Sequence, residues 1–239
     1  MTAPNKSSDF NLVYRSSIKH WVWSDIRIPQ QLKSFIAETG PQSMLELGCG
    51  VGRFADYAAK QGVNITAVDF SSVAIEKAQR RVRHGYTAPQ FQVGDVTCLD
   101  HLQGPFDASF DIGCFHCLDL PGQRNYALEV ARLLRPGGIH LLWAMDTPPS
   151  DLPMTPDAIN AVFSPYFTLV SSVKKRRRFA SSHWYRLIKI ERSGKVTRRE
   201  NITVCEPDGQ SLRPPWIRNT GNVAPAPPPV LQLRRAGQS

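Results

Sequence analysis

The residues best suited to chemistry stand in one short segment, Glu46-Leu47-Gly48-Cys49-Gly50-Val51-Gly52. Its three alternate glycines let the backbone turn tightly and leave room for a ligand against the main chain. The segment follows the apolar run 44–47 and precedes a helical pattern that begins at Arg53. Because a helix start offers unpaired N–H groups and the positive end of a dipole, the segment is typical of a loop that holds a polar ligand.

Two carboxylates follow the next two apolar runs. Asp69 ends the run 65–68 and stands 19 residues beyond Gly50, where a carboxylate can accept hydrogen bonds from ribose hydroxyls. Asp95 comes directly after the run 91–93 and Gly94. Open α/β sheets bind ligands at the carboxyl ends of their strands, so we expect both carboxylates to lie beside the glycine loop.

Strands and helices that position these residues alternate along the chain from Gln30, which is typical of a doubly wound parallel sheet. Near the end the pattern changes to two alternating runs, which predicts an antiparallel hairpin. The predicted strands are 44–47, 65–68, 91–93, 108–113, 139–145, 167–173 and 183–190, and the predicted helices are 53–61, 72–84, 123–134 and 156–163.

Three regions are predicted from these patterns. Residues 1–30 form an irregular, aromatic lead-in that we interpret as a lid segment, and residues 31–192 form the α/β domain. Residues 193–239 lose periodicity, and 207–229 hold seven prolines. This composition favours a disordered, basic, Pro-rich tail.

The composition excludes several classes of protein. With 239 residues, 41% of them hydrophobic and 21% charged, the chain can bury a sizeable core. The polar start lacks the apolar run of a secretory signal, and no apolar stretch approaches the ~18 residues of a membrane span. Five cysteines at scattered spacings argue against a disulfide framework and for a reducing compartment. We therefore expect a cytoplasmic protein without membrane association.

The net charge of +9 is unevenly distributed. The run 174–178 contributes +5 and residues 193–239 contribute +4, which leaves the rest of the chain neutral. An enzyme that acts on nucleic acid is expected to spread basic residues around its active face. The clustering therefore argues against a nucleic-acid partner, although it leaves that alternative open.

Five features occur in order along the chain: residues 46–52, Asp69, residues 94–96, residues 106–115 and residues 134–138. In this order and spacing they resemble the successive motifs of class I S-adenosylmethionine-dependent methyltransferases, over about residues 21–192. The resemblance implies a Rossmann-like α/β fold, with a doubly wound sheet of seven strands that is mostly parallel and ends in an antiparallel hairpin.

Finer features narrow the resemblance. Residues 68–71, 113–116 and 23–29 are similar to the corresponding segments of small-molecule enzymes related to thiopurine S-methyltransferase. A small methyl acceptor is the partner that this similarity implies.

The resemblance assigns the glycine loop to the methionyl part of S-adenosyl-L-methionine. It implies that Glu46, Gly48 and Gly50 line this part of the cofactor and that Arg53 steadies its carboxylate. Cys114 would lie under the methionyl chain through its backbone.

A second group of residues is implied to hold the adenosine. Asp69 would bind the ribose hydroxyls, and Phe70 would lie beside the adenine. Asp95 would accept from the adenine amino group, and Val96 would flank the ring. Asp111 is expected to face the same cleft.

The activated cofactor leaves little chemistry to the protein. A sulfonium is a good leaving group, so in-line displacement needs mainly approach, alignment and desolvation of the acceptor. A dedicated base is not required for every acceptor; if one exists, His116 is the candidate, and its alternative role is packing or lining the substrate site. Tyr14, Trp21 and Trp23 are expected to form an apolar lid over the substrate, with Phe115 beside it; N-terminal anchoring is the alternative for the first three.

The predicted function is methyl transfer to a small, hydrophobic acceptor through sulfur, nitrogen or oxygen. The alternatives are an RNA or DNA methyltransferase that uses the basic run, and a cofactor-binding protein without catalysis. Cys114 and Cys117 have the spacing of a metal or redox pair, but a zinc site needs a second pair of ligands at suitable spacing. We therefore predict no metal site. The sequence does not indicate the oligomeric state.

Overall fold

The structure is a computed structural model that describes Asn11, Tyr14 and residues 27–82, 85–177 and 180–191. Trp21, Trp23 and the predicted tail 193–239 lie outside these ranges. The described elements begin at Gln30 and end at Lys189.

One mixed sheet of seven strands forms the centre of the fold. Most strands alternate with helices along the chain, as the sequence predicts. The strands are β1 Ser43–Leu47, β2 Asn64–Asp69, β3 Gln90–Val93, β4 Phe106–Ile112, β5 Leu134–Met145, β6 Phe167–Arg177 and β7 Ala180–Lys189.

The strand order is β3-β2-β1-β4-β5-β7-β6. The first five strands in this order are parallel, whereas β7 runs antiparallel to both β5 and β6. The predicted fold class, including the terminal hairpin, is confirmed. The order reverses between β1 and β4, and the crevice at such a reversal is where open α/β sheets bind ligands.

Local signals define where the helices begin. The hydroxyl of Ser71 accepts a hydrogen bond from the N–H of Ala74, and a carboxylate oxygen of Asp119 accepts one from the N–H of Gly122. Both residues act as N-caps, which satisfy backbone donors that the first helical turn leaves unpaired. The helices are α1 Gln30–Thr39, α2 Arg53–Lys60, α3 Ser72–Arg81, α4 Leu120–Leu133 and α5 Pro156–Phe163.

The two faces of the sheet carry two hydrophobic clusters. One contains Tyr126 of α4 and Phe163 of α5, and the other contains Phe35 of α1, Ala58 of α2 and Ile75 of α3. Burial on both faces explains why consecutive residues of the central strands are buried. None of the described helices is long and apolar enough to cross a bilayer.

The structure differs from the predicted bounds at β5, which begins at Leu134 rather than at 139, and at β6. This strand continues to Arg177, four residues beyond the predicted end at 173, and includes most of the basic run. It lies at the edge of the sheet, where charged side chains can point into solvent and also discourage pairing with another strand.

Candidate functional site

The loop between β1 and α2 approaches the rest of the protein closely at Gly48. Gly48 has φ of 71°, and a Cβ there would lie 2.3 Å from the Cβ of Cys114. Gly50 has φ of 52°, and a Cβ there would lie 2.9 Å from the hydroxyl oxygen of Tyr14. Gly48 therefore allows the loop to pack on the turn after β4, whereas Gly50 faces the space in which the Tyr14 hydroxyl lies.

Asp69 joins this loop to the end of β2. Its Oδ2 accepts a hydrogen bond of 2.8 Å from the N–H of Gly50, and its Oδ1 accepts one of 2.9 Å from the N–H of Ser71. Burial raises the pKa of Asp69 to about 6, although these two N–H donors act to lower it. Each carboxylate oxygen has a second lone pair, so Asp69 can also accept hydrogen bonds from ligand hydroxyls.

Glu46 provides a second buried carboxyl group under the loop. The N–H of Ala55 donates to it, but its Oε2 is buried and has no hydrogen-bond partner among the described residues. Burial raises the pKa of Glu46 well above its ordinary value. A buried acceptor without a donor is costly, so this atom fits a ligand that brings an ammonium or hydroxyl group. Arg53 is half-buried at the first position of α2.

The predicted adenosine residues lie where β2 and β3 end. Asp95 accepts hydrogen bonds at Oδ1 from the N–H and the hydroxyl of Thr97, over 2.8 and 2.7 Å. Its Oδ2 has no hydrogen-bond partner within the described ranges and can accept from a ligand. Val96 is buried in the core cluster next to it, and Phe70 is half-buried directly after Asp69.

Asp111 has a different environment from the one that the sequence predicts. It is fully buried, and its oxygens accept from the N–H groups of Cys114 and Phe115 and from the hydroxyl of Tyr126, over 2.8 to 2.9 Å. Burial raises the pKa of Asp111 to about 6. These contacts hold the turn that brings Cys114 against Gly48, so Asp111 positions the site and does not face the cleft.

Tyr14, a predicted lid residue, lies over the glycine loop. Its carbonyl oxygen accepts a hydrogen bond from Lys77, and Oδ1 of Asn11 accepts one of 2.6 Å from the hydroxyl of Ser71. Burial, and then the charge of Asp69, raise the pKa of the Tyr14 hydroxyl well above its ordinary value. The hydroxyl therefore stays protonated and can act as a donor at the entrance to the loop.

Phe115 does not have the predicted role beside a substrate. Its side chain is 0% exposed and packs against Tyr126 and Phe163, with ring centroids 5.1 and 5.3 Å apart. Three apolar rings in mutual contact are a core feature. Phe115 therefore anchors the turn after β4 from below.

His116 lacks the features of a general base. It is 3% exposed, and burial lowers the pKa of its imidazole to about 4. The N–H of Met145 donates to its Nδ1 over 3.4 Å, so the proton of the neutral ring lies on Nε2. A ring that already carries its proton on Nε2 cannot accept another there, and the geometry favours the alternative role in packing.

A polar cluster at the end of β5 was missed by sequence reasoning. Oδ1 of Asp146 lies 2.7 Å from Nδ1 of His183, and its Oδ2 lies 2.9 Å from Nζ of Lys174 and accepts a hydrogen bond from Ser181. The available signal was that Asp146 directly follows the apolar run 139–145, as Asp69 follows the run 65–68. Its partners are more than 25 residues away in sequence, so the cluster depends on strand pairing.

The described cysteines form no metal site. Cys49, Cys114 and Cys117 are free thiols, whereas Cys98 is disulfide-bonded, which the scattered spacing of the cysteines did not predict. Within the described ranges, no group of three or more Cys, His, Asp or Glu side chains is arranged to hold a metal ion.

Part of the chain is similar in sequence to known proteins. Residues 44–138 match the family described as "Methyltransferase domain". An uncharacterized methyltransferase of Schizosaccharomyces pombe is 34% identical over 92 residues, which cover 38% of this chain and 63% of that protein. The tRNA N(3)-methylcytidine methyltransferase of the same organism is 33% identical over 128 residues, covering 50% of this chain and 41% of that protein.

A solved structure extends the similarity beyond the matched segment. The 1,6-didemethyltoxoflavin-N1-methyltransferase of Burkholderia thailandensis, with bound 1,6-didemethyltoxoflavin and S-adenosylhomocysteine, superposes with a TM-score of 0.64. It is 22% identical and covers 80% of this chain and 94% of that chain, a likeness that establishes the fold. Residues 44–138 are thus similar to methyltransferase domains, and the chain has the fold of this neighbour. The matched part of the chain spans less than two thirds of the length of the two curated relatives.

Proposed function

We propose that this protein transfers a methyl group from S-adenosyl-L-methionine to a small acceptor molecule. The observation that carries the proposal is the buried, unpartnered Oε2 of Glu46 beneath the same loop whose Gly50 N–H is held by Asp69. The match of residues 44–138 to methyltransferase domains and the S-adenosylhomocysteine in the structural neighbour support the same cofactor.

The residues that would hold the cofactor divide into two groups. Glu46, with its unpaired oxygen, and Arg53, at the start of α2, suit the ammonium and carboxylate groups of the methionyl part. Asp69 suits the ribose hydroxyls, because each of its oxygens already accepts one N–H and retains a lone pair. Asp95 suits an amino donor through Oδ2.

When bound, the cofactor supplies an activated methyl group on a positively charged sulfur. The protein then has to align the acceptor and exclude water, which can account for ~7–11 kcal/mol of the barrier through proximity alone. Tyr14 lies over Gly50 and is held through Lys77, so it can limit access of water to the loop.

A small, hydrophobic acceptor is favoured over a macromolecule. The structural neighbour has 1,6-didemethyltoxoflavin and S-adenosylhomocysteine bound, and the sequence resembles small-molecule enzymes related to thiopurine S-methyltransferase. Methylation of RNA is the second candidate, because Lys174, Lys175 and Arg176 are exposed along β6 and one relative is named as a tRNA methyltransferase.

Calorimetry with S-adenosylhomocysteine tests the cofactor site. Asp69→Ala is expected to weaken binding by tenfold or more, since it removes the ribose acceptor and releases the N–H of Gly50. The matched control is Asp107→Ala, because Asp107 also accepts backbone N–H groups but at the opposite end of β4. Equal affinity of the Asp69→Ala variant and the unmodified protein would remove this assignment.

A screen with methyl-labelled cofactor tests the acceptor class. The purified protein is offered thiols, phenols, heterocyclic amines, carboxylic acids and total RNA, and the labelled fraction is measured for each. We expect label in a small-molecule fraction. Label confined to RNA would replace the small-molecule proposal by the second candidate.

A further inference from the structure

The cluster around Asp146 lies at the same edge of the sheet as the glycine loop. β5 runs parallel to β4, and β4 runs parallel to β1, so the three strands end at one edge. β7 runs antiparallel to β5 with Ala144 opposite His183, so β7 begins at that edge. Asp146 and His183 therefore stand beyond the β4 tip, on the side away from β2.

The geometry defines which nitrogen of His183 carries the proton. Partial burial alone would raise the pKa of Asp146, but hydrogen bonds from Ser181, Lys174 and His183 outweigh it and lower this pKa. Asp146 is therefore an ionised acceptor, and Nδ1 of His183, 2.7 Å away, must donate to it. The neutral ring then has its lone pair on Nε2, which has no hydrogen-bond partner in the described part of the chain.

The ring of His183 is also fixed in orientation but remains partly exposed to solvent. Its ring stacks on Tyr185 with centroids 5.6 Å apart, and the hydroxyl of Tyr185 donates to the carbonyl oxygen of Met154. The side chain of His183 retains 12% exposure. A carboxylate that fixes the tautomer and orientation of an accessible imidazole is the usual arrangement for a general base.

We infer that His183, oriented by Asp146, is the general base for the acceptor, and that the acceptor group is a hydroxyl of phenol-like acidity. The inference rests on the proposed methyl transfer. A carboxylic acid is already ionised near neutral pH and a thiol partly so, whereas a phenolic hydroxyl with a pKa of about 10 keeps its proton and gains from a base.

In the proposed step, methyl transfer is coupled to the loss of the hydroxyl proton. A lone pair of the hydroxyl oxygen forms the new O–C bond, and the electron pair of the S–C bond stays on sulfur. The hydroxyl proton passes to Nε2 of His183, and the electron pair of the O–H bond remains on the oxygen. The imidazolium, stabilised by Asp146, then returns the proton to water.

NMR of the unmodified protein with isotope-labelled histidine tests the inference without turnover. Long-range nitrogen–proton spectra are expected to show Nδ1 of His183 protonated and Nε2 unprotonated, and the reverse for His116. Asp146→Asn is expected to remove this preference at His183 only. Protonation of Nε2 in the neutral ring of His183 would overturn the proposal.

Turnover of phenols of graded acidity provides the second test. His183→Asn keeps a donor toward Asp146 but lacks the Nε2 lone pair. At about pH 8.5, where 4-nitrophenol is largely ionised without a base and phenol is not, we expect kcat/KM to fall about 100-fold for phenol and less than about threefold for 4-nitrophenol. The control, Lys33→Ala, changes an exposed lysine of α1 without a side-chain partner in the described ranges and is expected to change neither. Equal losses with both phenols, or no loss, would overturn the proposal.

The same assays separate this inference from the proposed function. If the unmodified protein binds S-adenosylhomocysteine and labels only thiols, amines or carboxylates, or none of the probes, the hydroxyl class is wrong while the cofactor site stands. If S-adenosylhomocysteine does not bind, the proposed function fails as well, whatever the tautomer of His183.

Discussion

Two regions at one edge of the sheet are built in different ways. The proposed cofactor side comprises Glu46, Gly50, Asp69 and Asp95 at the ends of β1, β2 and β3, where Asp69 and Asp95 accept hydrogen bonds from nearby backbone N–H groups. The proposed acceptor side comprises Asp146, Lys174, Ser181 and His183, whose contacts join the ends of β5, β6 and β7. The hydrogen bonds of the first region form within and between loops at the strand ends, whereas those of the second form only after the strands have paired.

This difference explains which parts of the site the sequence predicts. The glycine loop and the carboxylates after β2 and β3 were recognised because residue type, spacing and the preceding apolar run lie within a few residues of one another. The cluster at Asp146 was missed because its partner His183 is 37 residues away. Only the register of β5 against β7 places the two side chains together.

The most severe test of the cofactor side is Gly48→Ala. A methyl group there would meet Cβ of Cys114 at 2.3 Å, and neither backbone can yield without moving Asp111 and its turn. We expect a loss of about 3 kcal/mol or more of stability. The control is Gly50→Ala, which meets only the terminal hydroxyl of Tyr14 and is expected to fold but bind S-adenosylhomocysteine poorly. Thermal unfolding and calorimetry measure the two effects, and equal stability of both variants would contradict the distinction.

For two residues of one turn, the structure does not support the functional role that the sequence suggested, and the physical reason is depth. Phe115 and His116 follow the cofactor turn, and their types suited a substrate wall and a base. Both are buried, which lowers the pKa of His116 to about 4 and leaves Phe115 among core rings. Residue type and spacing do not indicate how deeply a turn is buried.

Glu46 and Glu129 are two buried glutamates with different hydrogen-bond partners. Glu46→Gln is expected to weaken S-adenosylhomocysteine binding about tenfold without reducing stability, because Oε2 has no donor in the described protein. Glu129 accepts from the N–H of Leu99 and pairs with Arg132 at 2.7 Å. Glu129→Gln is expected to cost about 1–3 kcal/mol of stability and leave the affinity unchanged. The reverse pattern in calorimetry and unfolding would show that Glu46 is a structural residue.

The pKa of Asp69, raised by burial to about 6, predicts opposite effects of pH on binding and on stability. Ribose hydroxyls donate to the carboxylate, so the affinity for S-adenosylhomocysteine is expected to be about tenfold weaker at pH 5 than at pH 7. The folded protein holds this proton more tightly than the unfolded chain, so Asp69 adds stability as pH falls from about 6 to 4. Calorimetry of Asp69→Asn should show no such pH step; a step retained in that variant would assign it to another group.

The smallest expected effect is at the edge of the acceptor side. Lys174 pairs with Asp146 at 2.9 Å, but more than half of its side chain is exposed. Lys174→Ala is therefore expected to cost less than about 1 kcal/mol of stability and to leave S-adenosylhomocysteine affinity unchanged. Urea unfolding of this variant and of Lys175→Ala measures the difference in the free energy of unfolding. A change in the affinity for S-adenosylhomocysteine would show that the two sides are not independent.

We propose that the cofactor lies across the ends of β1 and β2, between Gly50 and Asp69. A crystal structure of the protein with S-adenosylhomocysteine tests this placement most directly. We expect ribose hydroxyls on Asp69 and a donor group of the ligand within hydrogen-bond distance of Oε2 of Glu46. A ligand bound at another edge of the sheet, or one that leaves both carboxyl groups without contact, would contradict it.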